Sequence, residues 1–560
     1  MEQGPAGRDL LSSSDLAEGS RDAAVPVEEN GTGARTLPVT GQPRAESSAW
    51  HKVRAPAWLP LAVVLAVQAA LSVRLVGADT AFMDEGTYLW AGHLEWAHML
   101  HGVPLPPFST YFSGVPVIYP PLGALADSVG GLAGARLLSM VFMLGATVLL
   151  WDITRRLFGR RAAFFAAALF AVLGPTLHLG SFATYDAMSL FLLALAAWIV
   201  AGAGERGEAT GRMVTAGAVL ILANATAYST ALFDPVVLVL AVCVAWPVGR
   251  RVAARRAGIL VTSTVVLLGA ALLIGGGSYL TGIRRTTLQR APGSDASLGV
   301  LLHAWSWTGV VLVLALSAVF TSWATRLESR YRWLLVALAA AALLGPAEQA
   351  ILQTSYSLNK HVGVGAWFAA IAAGYAADAF IAAAAPGRSR TLTTAGCLTA
   401  LAFPLVFGIS QSWQFATSWP DSSSFLAIFG PLADHSSGRL LVEDPGAARY
   451  YLTSGSQWQR WSSTRNIVLP GGTSTGGPTG GVVAPGNPAA FARYISQGYF
   501  SYVALNFADT TTLDLQIRAD LVHSPHYRIV QVIPYNPPIT GTNIDPATLH
   551  GTYVVWRYKP

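Results

Sequence analysis

The feature that most limits the possible folds is a series of eleven long apolar runs separated by short polar connections. A run of about 20 apolar residues crosses the roughly 30 Å hydrocarbon core of a bilayer as a helix. The chain is 52% hydrophobic and 12% charged, whereas soluble domains carry about 25% charged residues. We therefore predict an all-α polytopic membrane protein with about eleven transmembrane helices. They lie near residues 57–77, 130–151, 162–180, 184–202, 213–232, 235–248, 257–277, 299–320, 332–352, 362–385 and 392–411.

Basic side chains indicate the orientation of these helices, because Arg and Lys collect in cytoplasmic connections. Arginines fill alternate connections, on the side of the N-terminal segment. They are Arg155, Arg156, Arg160, Arg161, Arg206, Arg212, Arg250, Arg251, Arg255, Arg256, Arg326, Arg330, Arg332, Arg388 and Arg390. We predict a cytoplasmic N-terminus and, after an odd number of crossings, an extracytoplasmic C-terminus. Because the arginines are accounted for by their place in cytoplasmic connections, the formal charge of +6 requires no nucleic-acid partner.

The two ends of the chain differ in composition from its apolar middle. Residues 1–54 are polar and rich in Gly, Ser, Pro and acidic residues, which predicts a disordered cytoplasmic tail. Residues 412–560 predict an extracytoplasmic α/β domain with a flexible Gly-rich loop at 470–487. Its expected strands lie at 438–444, 500–505, 527–532 and 552–556, and its expected helices at 445–460 and 488–498. Residues 55–411 are then the transmembrane domain, with the first outer loop at 78–129.

Two adjacent carboxylates, Asp84 and Glu85, lie in this first outer loop, soon after the first apolar run. A solvated loop can carry acidic residues without any function. Alternatively, one carboxylate on a rigid mount takes a proton from an acceptor hydroxyl while its neighbour orients the substrate. Asp186 lies at the next predicted outer turn, where it is either a helix cap or a second acidic residue of the same site.

Several cations are predicted on the same side of the membrane as these acids. Lys360 and His361 begin an apolar run there, in a chain that contains only three lysines. Lys360 either pairs with a lipid phosphate or extends from a helix end to the surface. Arg284 and Arg285, in the 278–298 connection, depart from the usual distribution of basic residues and are alternative phosphate partners.

The first outer loop continues as an amphipathic segment rich in Trp and His. His93, Glu95, His98 and His101 do not have the spacing of zinc ligands, so we favour a helix in the headgroup plane. The sequence identifies no cofactor and leaves a divalent metal open. We expect the wall of a substrate pocket to contain Tyr88, His93, Tyr119 and Tyr185.

These features resemble the GT-C glycosyltransferases, and more narrowly the family 39-like bacterial enzymes of the protein O-mannosyltransferase and aminoarabinose-transferase type. The resemblance covers residues 57–411. It rests on Asp84-Glu85 soon after the first helix, the amphipathic segment, the Tyr-Pro-Pro-Leu stretch at 119–122, and Asp186 at the third-to-fourth turn. It implies a GT-C-like transmembrane fold, a polyprenyl-phosphate sugar donor, and inverting transfer of a hexose or pentose outside the cytoplasm.

The resemblance also implies roles for individual residues. Asp84 matches the general base, Glu85 its substrate-orienting partner, and Asp186 the second acidic position. Lys360 and His361 lie where contacts to the donor phosphate are expected. The chain departs from the family in having fewer predicted crossings and a C-terminal domain unlike characterised acceptor-binding modules. The acceptor is therefore left open among glycans, lipids and proteins.

Two other functions fit parts of the sequence. A transporter or flippase for polyprenyl lipids or polysaccharides would need ionisable groups near the middle of the membrane and internal repeats. Here the acids cluster at one face and no repeat is visible. A non-catalytic membrane scaffold would leave Asp84, Glu85 and Asp186 unexplained. We therefore expect a multi-pass glycosyltransferase of the cell membrane. Asp84 accepts the acceptor proton, and Lys360 or an arginine of 284–290 offsets charge on the leaving phosphate.

Overall fold

A computed structural model describes residues 58–560 except 111, 205–208, 291, 294, 356, 418–420, 453–454, 466, 469–473, 476–486, 508–509 and 536–550. The predicted N-terminal tail and nearly all of the predicted Gly-rich loop lie outside the described residues. The helical part and the C-terminal sheet belong to one compact unit.

Helices account for most of the chain up to residue 417. They are α1 Leu59–Val76, α2 Met83–His101, α3 Tyr119–Phe158, α4 Arg160–Ala171, α5 Gly174–Leu179, α6 Tyr185–Ala201, α7 Thr210–Thr226, α8 Asp234–Ala245, α9 Arg250–Ile283, α10 Ser297–Ala324, α11 Ser329–Ile351, α12 Leu358–Ala383, α13 Arg388–Ala400 and α14 Ala402–Thr417. Short 3-10 turns lie at Phe108–Thr110, Tyr228–Phe233 and Trp246–Val248, and a π-helical turn at Arg284–Leu288 follows α9.

Eight helical segments within the described residues are long and apolar enough to cross a membrane, judged by length and composition. They are Leu59–Val76, Tyr119–Phe158, Tyr228–Val248, Arg250–Leu288, Ser297–Ala324, Ser329–Ile351, Leu358–Ala383 and Arg388–Thr417. The sequence predicted about eleven crossings. The other three predicted runs are also helical but shorter: 162–180 divides into α4 and α5, and α6 and α7 have 17 residues each. The polytopic helical fold is confirmed, and its orientation stays a prediction.

The predicted first outer loop, residues 78–129, which we call the first outer segment, is mostly helical, and α2 lies where the sequence predicted an amphipathic helix. The N-terminal part of α3 begins at Tyr119-Pro120-Pro121, with proline in its first turn, where no backbone N–H is needed. This part packs across α2 so closely that a Cβ at Gly92 would lie 1.9 Å from the Pro120 carbonyl oxygen. At Gly131 the backbone turns left-handed, with φ of 61°, and α3 changes direction. The N-terminal part of α3 and α2 are thereby packed directly against each other.

The C-terminal region is a small α/β domain, as predicted. Its main sheet has the order β2-β1-β5-β7-β6, with β1 parallel to β2 and β5, and β7 antiparallel to β5 and β6. Its strands are β1 Arg439–Val442, β2 Trp461–Ser462, β3 Ile467–Val468, β4 Ser474–Thr475, β5 Phe500–Leu505, β6 Tyr527–Tyr535 and β7 Gly551–Tyr558, and its helices are α15 Ser423–Asp434, α16 Gly446–Leu452, α17 Pro488–Ser496 and α18 Thr511–His523. β3 and β4 form a separate antiparallel pair.

Both faces of this sheet are covered by helices. On one face, Phe425 and Phe429 of α15 pack with Tyr553 of β7. On the other face, Phe491 of α17 and Ile517 of α18 are fully buried in a second apolar cluster. A sheet that buries apolar side chains on both faces has its own core, so the domain provides a rigid body next to the helices.

Helix α16 of this domain packs against α2 at a close contact that involves Gly86 and Gly446. A Cβ at Gly86 would lie 2.7 Å from the carbonyl oxygen of Gly446, and a Cβ at Gly446 would lie 2.8 Å from that of Met83. Real Cβ atoms do not approach a carbonyl oxygen so closely, so only glycine permits this approach. The contact brings the backbones of the C-terminal domain and of the first outer segment together.

Replacing Gly446 by alanine is therefore expected to force α16 away from α2. Overpacking of a close contact typically costs about 1–3 kcal/mol, so we expect a lower thermal unfolding midpoint for the purified variant. The control is Gly396→Ala in α13, where a new Cβ meets nothing within 4 Å. Equal midpoints for the two variants would show that the glycine contact does not hold the domain.

Candidate active site

The centre of the candidate site is a lysine held between two aspartates from different helices. Nζ of Lys360 lies 2.6 Å from Oδ2 of Asp84 and 3.3 Å from Oδ2 of Asp186. The Lys360 side chain is only 8% exposed. Burial of these charges is tolerable because they offset one another, but the cluster keeps one negative charge in excess. An excess carboxylate suits a group that must take up a proton.

Three helix N-termini bring these side chains together. Asp84 lies in the first turn of α2, Asp186 in the first turn of α6, and Lys360 in the first turn of α12. The positive end of a helix dipole stabilises a carboxylate in the first turn. Oδ2 of Asp84 accepts a hydrogen bond from Lys360, and no described residue forms a hydrogen bond with Oδ1. Oδ1 can thus accept a further hydrogen bond.

The side chain of Asn359, the preceding residue, holds the backbone of Lys360 in place. The side-chain oxygen of Asn359 accepts a hydrogen bond from the backbone N–H of Lys360 at 2.9 Å. The amide nitrogen of Asn359 donates to Nδ1 of His178 in α5. All three residues are buried, so this network orients the start of α12 toward the two aspartates.

Glu85 lies beside Asp84 in the sequence but has a different environment. It is fully buried and forms a two-pronged ion pair with Arg136 of α3, with Nε–Oε1 and Nη2–Oε2 distances of 2.8 Å each. Its Oε1 also accepts from the backbone N–H of Ala183 at 2.8 Å, and its Oε2 from that of Phe82 at 3.3 Å. Because both oxygens are engaged, the geometry favours a positioning role over the substrate contact expected from the sequence.

Arg136 extends this network to the segment between α1 and α2. Its guanidinium also donates to the carbonyl oxygens of Val76, Ala78 and Thr80, at 3.2 Å for Val76 and 3.1 Å for Thr80. The Glu85–Arg136 pair therefore joins α3, the α5–α6 turn and the segment that leads into Asp84. We call these contacts the Glu85–Arg136 clamp.

Aromatic rings lie beside the two aspartates. Tyr88, one turn after Asp84, packs against Tyr185, which precedes Asp186, with ring centroids 4.5 Å apart. Phe112 meets Tyr88 edge-on at 5.3 Å. Burial, and to a smaller extent the negative charge of Asp84, raises the pKa of Tyr88, so its hydroxyl remains protonated. Aromatic faces next to polar groups are typical of pockets that hold a ligand in one orientation.

A second polar cluster lies farther along α2. Oδ2 of Asp127 lies 2.6 Å from Nε2 of His93, and the hydroxyl of Tyr450 in α16 donates to Oδ1 of Asp127 at 2.5 Å. His93 is nine residues after Asp84, about 13 Å along a helix. The predicted pocket residue His93 thus contributes to a contact with the C-terminal domain and lies apart from the Lys360 cluster.

A protein-family model matches part of the chain. The family model described as dolichyl-phosphate-mannose-protein mannosyltransferase matches residues 124–274. The fold of ArnT from Cupriavidus metallidurans, solved bound to undecaprenyl phosphate, is similar over 90% of this chain and 98% of that chain, with a TM-score of 0.54 and 14% identity. In its fold the chain resembles the GT-C membrane glycosyltransferases.

A second solved structure also has a fold similar to that of this chain. The archaeal oligosaccharyltransferase AglB from Archaeoglobus fulgidus, in complex with an inhibitory peptide and a dolichol-phosphate, is similar over 89% of this chain and 74% of that chain, with a TM-score of 0.52 and 13% identity. At such identities the likeness shows the GT-C fold alone. No curated protein matches the chain in sequence. The predicted resemblance to GT-C glycosyltransferases is confirmed.

The remaining predicted site residues lie outside the Lys360 cluster. Tyr119 is fully buried under α2. His361 has Nδ1 2.9 Å from Oε2 of Glu348. Arg284 is exposed and Arg285 half-buried on the π-helical turn, and neither forms an ion pair with any described residue. Their roles at a donor phosphate stay predictions. Among the described residues, no group of three His, Cys, Asp or Glu side chains could hold a metal ion.

Arg136, Tyr450 and Tyr451 were not predicted as site residues from the sequence. The signal for Arg136 was available: a single arginine inside an otherwise apolar run requires a buried partner. No comparable signal marked the two tyrosines, because their contacts with the first outer segment depend on how the C-terminal domain docks.

Proposed function

We propose that this chain transfers a sugar from a polyprenyl-phosphate donor to an acceptor hydroxyl on the extracytoplasmic face, with inversion and with Asp84 as the general base. The observation that carries the proposal is the convergence of Asp84 and Asp186 on Lys360. The fold is similar to that of an ArnT structure bound to undecaprenyl phosphate and of an AglB structure bound to a dolichol-phosphate. These likenesses support a lipid-linked donor.

In the proposed reaction, the acceptor hydroxyl gives its proton to Oδ1 of Asp84. The acceptor oxygen forms a bond to the anomeric carbon as the bond between that carbon and the phosphate oxygen breaks. The electron pair of the broken bond stays with the phosphate, which leaves as polyprenyl phosphate. Lys360 offsets this additional charge, and Asp186 keeps Lys360 in place. Because the displacement is single, the product has the opposite anomeric configuration.

The substrate orientation in this proposal depends on the aromatic pair. Tyr88 and Tyr185 pack against each other next to the aspartates, and on this proposal they form an apolar wall for a sugar ring. The Glu85–Arg136 clamp holds the backbone on which Asp84 is mounted. Arg284, Arg285 and His361 are further candidates for the donor phosphate, since the Lys360 cluster alone carries excess negative charge.

The proposal is tested with purified chain in lipid nanodiscs, incubated with radiolabelled polyprenyl-phosphate hexoses and pentoses and with glycan, lipid and peptide acceptors. We expect labelled acceptor and an equal amount of polyprenyl phosphate, with the inverted anomer in the product. Movement of labelled donor across the bilayer of sealed vesicles without any transfer would instead indicate a flippase.

Lys360→Met is expected to lower the transfer rate about a hundredfold, since removing one group that stabilises developing charge costs about this much. Lys360→Arg, which keeps the charge in a different shape, should recover part of the loss. The matched control is Lys559→Met, because Lys559 is exposed on the C-terminal domain. Wild-type rates for Lys360→Met would remove this lysine from the mechanism.

A further inference from the structure

The C-terminal domain contacts the segment that carries Asp84 through side chains of α16. The hydroxyl oxygen of Tyr451 accepts a hydrogen bond from the backbone N–H of Ala81 at 3.0 Å. Ala81 is fully buried, three residues before Asp84. This contact is separate from the Glu85–Arg136 clamp, so the chain entering α2 is held by the helical part and by the C-terminal domain.

The neighbouring tyrosine holds the middle of the same helix. The Tyr450 hydroxyl donates to Asp127, which in turn meets His93 of α2. Burial raises the pKa of Tyr450 and of Tyr451, so both hydroxyls stay protonated and Tyr450 keeps the proton that it donates to Asp127. The two rings pack edge-on, with centroids 4.6 Å apart, which fixes one hydroxyl relative to the other.

Further contacts of the same domain reach the far end of α2. The indole N–H of Trp458 donates to the carbonyl oxygen of Pro104 at 2.9 Å. The guanidinium of Arg449 lies over the ring of Trp90, 5.0 Å from its centroid. The C-terminal domain therefore contacts the start of α2, its middle, and the chain just beyond its end, whereas a separate binding module would need only a linker.

We propose that Tyr450 and Tyr451 are positioning residues for Asp84, and that the C-terminal domain is part of the catalytic unit. This inference rests on the proposed function of Asp84. A general base must be held close to its productive geometry, and a displacement of about 1 Å can cost about a hundredfold in rate. Tyr451 restrains the backbone just before α2, and Tyr450 restrains α2 through Asp127 and His93, so the loss of either hydroxyl loosens the mount of Asp84.

Tyr450→Phe and Tyr451→Phe test this inference, because each removes one hydroxyl and keeps the ring packing. The matched control is Tyr527→Phe. The Tyr527 hydroxyl donates to the carbonyl oxygen of Phe500 at 2.8 Å, inside the C-terminal domain. All three variants remove one tyrosine hydrogen bond of this domain, but only the first two remove a contact between this domain and the first outer segment.

We expect kcat to fall about tenfold in Tyr450→Phe and in Tyr451→Phe, with the KM for donor within twofold of wild type. Tyr527→Phe should keep wild-type kcat. Hydrogen–deuterium exchange of residues 79–90 should be faster in Tyr451→Phe than in Tyr527→Phe. A purely structural role would lower the amount of folded protein in all three variants equally and leave kcat per folded molecule unchanged.

The two readouts separate this inference from the proposed function. If the wild-type chain transfers sugar and both tyrosine variants match Tyr527→Phe in kcat, the inference is overturned. If the wild-type chain transfers no sugar, the proposed function fails, and exchange alone decides the positioning. Faster exchange at residues 79–90 then supports the anchoring of α2 by the C-terminal domain, and unchanged exchange in both variants overturns it.

Discussion

Asp84→Asn is expected to slow sugar transfer about a thousandfold, within the usual contribution of a general base. Asparagine has nearly the same shape as aspartate but cannot take up a proton at neutral pH. The variant should fold and insert normally, because the contact with Lys360 can persist as a hydrogen bond. The measurement is the single-turnover rate with saturating donor, together with the affinity for polyprenyl phosphate, which should change little.

The matched controls for this experiment are two other aspartates. Asp434→Asn alters an exposed carboxylate at the end of α15 and should have no effect. Asp186→Asn should slow transfer about tenfold to a hundredfold, less than Asp84→Asn, because Asp186 acts on Lys360 and not on the acceptor. A greater loss in Asp186→Asn than in Asp84→Asn would reverse the two roles.

Arg136→Met is expected to lower the free energy of unfolding by about 3–5 kcal/mol, since it leaves the buried carboxylate of Glu85 without its counter-ion. The segment that leads into α2 would also lose the donor for three of its carbonyl groups. We expect a large fall in the thermal unfolding midpoint of the purified protein, or loss of folded protein from the membrane.

The double variant Arg136→Met/Glu85→Gln distinguishes this cause from loss of packing. Glutamine is neutral and can still accept a hydrogen bond from Ala183, so the double variant should be more stable than Arg136→Met alone. The surface control is Arg155→Met, which removes one of the three side-chain partners of Asp152 and should cost less than about 1 kcal/mol. Equal effects of Arg136→Met and Arg155→Met would contradict the importance of the clamp.

The helical fold could be predicted from the sequence because the bilayer imposes a length and an apolar composition on each crossing. All eleven predicted runs are helical in the structure. The number of crossings was harder to predict than the helical fold, because composition does not show where a helix breaks. One such break lies between Ala171 and Gly174. Helix α18 was missed because its pattern of Thr, Asp, Gln and Arg lacks a strong apolar period.

The site was predicted residue by residue but not as an arrangement. Asp84, Asp186 and Lys360 each stood out because charged groups near a membrane need a reason, yet their mutual contact depends on the packing of three helices that are far apart in the chain. Glu85 looked equivalent to Asp84 in the sequence. The structure distinguishes them because successive residues of a helix point about 100° apart, so one reaches Lys360 and the other Arg136.

The contact between Ala81 and Tyr451 joins residues 370 positions apart, which has a consequence for biosynthesis. A ribosome produces the Asp84 region early, and the hydroxyls that restrain it only after the helices up to residue 417 have been made. Strand β7, between β5 and β6 in the sheet, is later still. On our proposal, a nascent chain already inserted in the bilayer therefore stays inert until residues 551–558 have been translated and the sheet has closed.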